Sequence, residues 1–116
     1  MNNILQTYVK LSQKITVYIP STVDVDKKLD TKKYVSDCES LLADCFGGST
    51  STKAIGSWRS LSSKIISEKV TMVFAYCKSE QLDLHLAKIL EFCIIMKEQL
   101  KQEAVSLEVN GELYFI

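Results

Sequence analysis

The chain has 116 residues, 47% hydrophobic and 24% charged, the make-up of a single globular domain able to bury a core without disulfide or metal staples. Fourteen basic residues balance fourteen acidic ones and all but one of the basic residues are scattered lysines, so no long-range field draws a polyanion, and nucleic acid or an anionic membrane is a poor partner. With one histidine, His85, and no C-x-x-C pair among Cys38, Cys45, Cys77 and Cys93, neither a metal nor a cofactor is expected; the cysteines fall in apolar runs and read as small buried hydrophobes of a reduced, cytoplasmic protein.

Residues 1–13 form an N-terminal arm in which Ile4, Leu5, Tyr8 and Leu11 suit a short helix, whereas Thr7, Val9 and Leu11 suit an extension of the next strand. The arm does not resemble a signal peptide, and no apolar run approaches the roughly 18 residues of a membrane span. Lys14 to Ile19 alternates, with Ile15, Val17 and Ile19 on one face, and Pro20 ends this strand because it cannot donate to a ladder. Ser21 to Asp30 reads as a solvated loop leading to Asp30 or Thr31 as a helix N-cap. Tyr34, Val35, Cys38, Leu41, Leu42, Cys45 and Phe46 then trace the stripe of an amphipathic helix, stopped by Gly47 and Gly48.

After the polar stretch Ser49 to Lys53, Ala54 to Ser60 reads as a strand and Ile65 to Cys77 as a longer, central one, nearly all apolar from Val70 onward. A second helix, about Glu80 to Leu100, spaces Leu82, Leu86, Ile89, Cys93, Met96 and Leu100 at steps of four and three, a heptad-like seam that points to an oligomer interface at Leu82, Leu86, Ile89 and Met96. Val105 to Val109 and Glu112 to Ile116 flank Asn110-Gly111, a two-residue hairpin turn. The order strand, helix, two strands, helix, strand predicts a ferredoxin-like α+β sandwich over residues 14–116, with an antiparallel sheet, two helices on one face and a C-terminal hairpin.

No catalytic template is complete. His85 has no nucleophile fixed beside it by spacing, the serines form no G-x-S-x-G elbow, and Phe46-Gly47-Gly48-Ser49-Thr50 closes a helix where a phosphate loop would open one. Gly56-Ser57-Trp58-Arg59 holds the only tryptophan and the only arginine, a pair able to stack on a ring and fork onto an anion. With the polar Thr50 and Thr52 and the strand carboxylate Glu68, Trp58 and Arg59 make up the candidate ligand or partner site. Glu68 and Glu103 are the carboxylates able to serve as a general base.

Phe46-Gly47-Gly48, Gly56-Ser57-Trp58-Arg59, Glu68, Gln102-Glu103 and the closing Tyr114-Phe115-Ile116 together resemble an uncharacterised family of small bacterial and phage proteins over about residues 14–116. The resemblance implies the ferredoxin-like order and no particular reaction. The expectation drawn is a non-enzymatic, homo-oligomeric interaction protein, such as a phage or mobile-element accessory that blocks a host factor. The alternatives are a binder that sequesters a nucleotide-like small molecule between subunits, and a small enzyme using Glu68 or Glu103.

Overall fold

The structure is a computed structural model and describes residues 3–24, 27–28 and 30–116. Strand β1 (Gln13–Pro20) lies at the centre of a five-stranded antiparallel sheet, between β5 (Ile65–Cys77) and β6 (Ser106–Val109). The outer strands are β4 (Thr50–Arg59) beside β5 and β7 (Glu112–Phe115) beside β6, giving the order β4-β5-β1-β6-β7. Helix α1 (Lys32–Phe46) connects β1 to β4 and helix α2 (Ser79–Gln99) connects β5 to β6. This is the ferredoxin-like arrangement, extended by one hairpin strand. The expected loop after β1 also contains a small two-stranded ribbon, β2 (Thr22–Asp24) and β3 (Lys27–Lys28). Asn3–Thr7 forms a 3-10 helix with no buried residue, and regular structure resumes only at Gln13.

Both helices pack on one face of the sheet, and strand alternation divides the side chains between that face and a helix-free one. Ile15, Val17 and Ile19 of β1, Val73, Ala75 and Cys77 of β5, and Leu107 of β6 are buried beneath Cys38, Leu42, Cys45 and Phe46 of α1 and Ile89, Cys93 and Met96 of α2. The opposite alternation, continued by the register, puts Lys14, Thr16, Tyr18 and Pro20, then Glu68, Val70, Met72, Phe74 and Tyr76, on the helix-free face. There Lys14 Nζ lies 4.5 Å from the centroid of the Phe74 ring, which meets Tyr76 edge-on.

The heptad-like seam of α2 turns inward. Leu82, Ile89, Cys93, Met96 and Leu100 are buried, and Leu86 is half-buried against the same core. This corrects the expectation that Leu82, Leu86, Ile89 and Met96 meet a second chain, because a stripe at steps of four and three suits a helix lying on its own sheet equally well. The large apolar residues that α2 leaves exposed are Leu84, Ile94 and Ile95.

Local chemistry fixes the element ends. The N–H of Lys32 donates to Asp30 Oδ1 at 3.0 Å where α1 begins, and Gly47 ends the helix at φ 90°, its N–H donating to Ala43 O at 2.8 Å. At the start of α2, Gln81 Oε1 accepts from the Lys78 N–H at 2.8 Å. Asn110 and Gly111 turn the last hairpin at φ 54° and 84°. Asn110 also ties that turn to β1, accepting from the Lys14 N–H at 2.8 Å through Oδ1 and donating to Lys14 O at 2.9 Å through its own N–H. Asn110→Ala is therefore expected to lower stability by about 1–2 kcal/mol, since alanine tolerates positive φ poorly and leaves the Lys14 donor unpaired; urea unfolding measures it.

The four cysteines are buried and free. Burial pushes the Cys38 thiol up to about 12, with Cys93 and Glu39 adding to the effect, and pushes Cys93 up to about 11. Because unfolded thiols ionise near 9.0, the unfolded chain holds fewer protons than the folded one between that value and 11–12. The contribution of these thiols to stability is thus complete below the ordinary thiol value and is lost as pH rises through the folded ones. The urea midpoint is expected to fall from about pH 8.5 upward, and native Cys38 and Cys93 are expected to resist alkylation at pH 8, where the unfolded chain reacts at all four sites.

Candidate functional site

A cavity of about 400 Å³ opens on the helix-free face, where the β4–β5 ribbon runs on past the end of β1. Its floor is Tyr18 and Pro20 of β1 with Val70 and Met72 of β5, and Ala54, Ile55 and Gly56 of β4 form one side. The other side is the chain between α2 and β6, through Gln102, Ala104, Val105 and Ser106. Sheet register assembles the walls: Pro20 pairs with Val70, which pairs on its other side with Ala54, and one row further on Glu68 pairs with Gly56. A Cβ at position 56 would come no nearer than 3.9 Å to Glu68 O, so the backbone does not require glycine there.

Among the described residues lining this cavity, Glu68 is the only charged one and none is basic. It is half-buried, and among the described residues no hydrogen bond or ion pair satisfies its carboxylate. Gln102 Nε2 donates to Leu100 O at 3.2 Å, which holds that side chain at the end of α2. Tyr18 is half-buried, and burial first, then the carboxylate of Glu108 on β6, raises its pKa, so the phenol stays protonated. The described residues give an apolar floor with one open carboxylate, suited to a ligand that carries positive charge.

The other candidates disperse. Trp58 and Arg59, adjacent on β4, point to opposite faces and cannot close on one ligand, and neither lines a described cavity. Trp58 is 40% exposed across from Ile66, while Arg59 Nη1 donates to Ser63 O at 2.8 Å and braces the β4–β5 turn. Thr52 lines a larger groove of about 580 Å³ between α1 and β4, with Lys32 and Lys53 set against Asp30 and Glu39. In that groove Glu39 already accepts from Ser51 Oγ at 2.5 Å. Thr50 borders a shallow hollow beside Gly47, Gly48 and Phe74. Glu103 is exposed and lines no described cavity, and the His85 ring meets Phe46 edge-on at 5.8 Å. Of the candidates, Glu68 alone lies in the cavity on the helix-free face. Tyr18, Pro20, Met72 and Ser106 join it without a sequence motif to announce them.

The sequence matches no protein-family model and no curated protein. Its architecture is that of ferredoxin-like α+β proteins, and solved structures share it nearly end to end. One is a phage SAM lyase in complex with S-methyl-5'-thioadenosine, with a TM-score of 0.65 at 14% identity over 93% of this chain and 91% of that one. A phage SAM lyase in the apo state gives 0.60 at 14% identity over 94% of both chains. A Bacillus cereus protein related to NIF3 gives 0.51 at 12% identity, covering 90% of this chain and 25% of that one.

These neighbours correct the functional expectation. The fold is shared along nearly its whole length with an enzyme, so the non-enzymatic interaction protein that blocks a host factor is set aside. Among the described residues, none that lines this cavity is basic, so they offer a phosphate no ion pair there. Among the described residues, no helix is long and apolar enough to cross a membrane.

Proposed function

We propose that this chain is a lyase acting on a sulfonium nucleoside of the S-adenosylmethionine type, at the cavity between the helix-free face and the α2–β6 connection. The observation that carries the reading is a cavity whose single charge among the described lining residues is the carboxylate of Glu68, with an apolar floor of Val70, Met72 and Pro20. The substrate is a cation without phosphate, and the solved enzyme of this fold holds S-methyl-5'-thioadenosine, a thioether left when a sulfonium loses one arm.

The chemistry needs little from the protein. The bond from sulfur to the amino-acid chain breaks and its electron pair stays on sulfur, which becomes a neutral thioether. The carbon left behind bonds to an oxygen of the substrate's own carboxylate, closing a lactone. No proton, water or oxidant enters, so the lack of a His-based triad is no obstacle. A carboxylate and a sulfonium cancel as they react, so their attraction grows and the barrier falls as water is removed; the apolar floor favours the step on that ground. Glu68 is best used on the substrate ammonium, whose charge survives the reaction, leaving the reacting carboxylate free to attack.

A homo-oligomer belongs to this reading. It is supported by apolar side chains left open on the helix-free face, Trp58, Tyr76, Leu113 and the 74% exposed Phe115 among them, so that a second copy laid there would close the cavity to water. Light scattering is expected to give a multiple of 13.1 kDa. The reading as a whole is tested by incubating the purified protein with S-adenosylmethionine and following products by mass spectrometry. Equal amounts of S-methyl-5'-thioadenosine and the lactone are expected, and an unchanged substrate would overturn the assignment.

A further inference from the structure

We propose that Tyr18 reads the charge on sulfur: its ring, in the cavity floor, takes the sulfonium against its face and so separates the charged substrate from the neutral thioether product. The assignment rests on the sulfonium-lyase reading and adds to it the side chain that discriminates.

Tyr18 contributes the only aromatic ring among the residues lining the cavity. It stands on the central strand between Val17 and Ile19, both fully buried, so its backbone is anchored from the helix side. Its phenol has no hydrogen-bond partner among the described residues, leaving the ring's orientation to packing against Met72 across the β1–β5 pair. An aromatic face attracts a cation through its quadrupole, and among the described residues lining the cavity none is basic. The Glu108 carboxylate beside Tyr18 adds negative potential on the same side.

Glu68 cannot do this work as well. Four residues along β5 separate it from Met72, the partner of Tyr18, so the Glu68 and Tyr18 backbones stand roughly 14 Å apart by strand rise and spacing. The two side chains approach the cavity from separate ends and address different parts of one ligand. Glu68 suits the ammonium end and Tyr18 the sulfur. Because the sulfur charge disappears in the reaction, attraction to the ring is greatest before the bond breaks and absent afterwards. The effect therefore falls on KM, and weakening the attraction does not lower kcat.

The test replaces Tyr18 with phenylalanine carrying zero, one, two or three ring fluorines, which keeps the shape and drains the quadrupole step by step. Across the series KM for S-adenosylmethionine is expected to rise in steps to roughly 5- to 30-fold, while kcat does not fall. The inhibition constant of the neutral thioether S-adenosylhomocysteine is expected to stay constant. A flat series, a thioether constant that rises in parallel, or a Tyr18→Phe variant already as impaired as the most fluorinated one would overturn the role of the ring. A wild-type protein that neither binds nor cleaves S-adenosylmethionine would instead bring down the lyase reading, and this assignment with it.

Discussion

Glu68→Gln is expected to lower kcat/KM for S-adenosylmethionine by about 10- to 150-fold, the worth of a charge-assisted hydrogen bond of ~1.5–3 kcal/mol. Among the described residues, this half-buried carboxylate is the only charge lining its cavity and makes no internal hydrogen bond or ion pair. Glutamine keeps its size, so Gly56 opposite it and the apolar floor are undisturbed, and the fold is not expected to weaken. If Glu68 holds the ammonium, whose charge is the same before and after bond cleavage, the loss lies in KM and kcat changes little. Steady-state kinetics on Glu68→Gln and Glu68→Asp decide this. A large fall in kcat at constant KM would mean that Glu68 acts on the reacting atoms, and no change in either would remove it from the site.

The elements that a reader of the sequence could draw are those whose periodicity reports burial. Ile15, Val17 and Ile19 alternate because one face of β1 meets two helices, and the α1 stripe ends at Gly47 because its stop requires positive φ. Asn110-Gly111 turns the hairpin it was expected to turn. Strand β4 was legible only from Ala54 onward, although it begins at Thr50. Thr50 to Lys53 lie on an edge strand exposed on both sides, where no apolar alternation is needed.

The site was less legible than the fold, for reasons that lie in the geometry of sheets. Neighbours in sequence suggested that Trp58 and Arg59 act together, but neighbours on a strand face apart. Gln102 was noticeable beside Glu103, yet only the turn between α2 and β6 decides that the first lines the cavity and the second faces solvent. Tyr18 and Ser106 come from strands that lie side by side in the sheet but far apart in the chain, and nothing short of the register joins them.

The strongest effect on stability is expected within α2, and it separates a core stripe from an oligomer seam. Ile89 is fully buried against the sheet, so Ile89→Ala removes apolar contact and leaves a cavity, costing about 2–5 kcal/mol. That is a large share of the ~5–15 kcal/mol that holds a domain of this size together. Leu84, 75% exposed on the same helix, changes stability by no more than about 0.5 kcal/mol when replaced by serine. If the seam held two chains together, Ile89→Ala would instead dissociate an oligomer into folded monomers, and its effect would weaken as protein concentration rises. Urea unfolding at two protein concentrations, with light scattering in the absence of denaturant, separates the outcomes. The buried seam requires an equal loss of stability at both concentrations and an unchanged oligomeric state, since the surface proposed to meet a second copy is the helix-free face on the other side of the sheet.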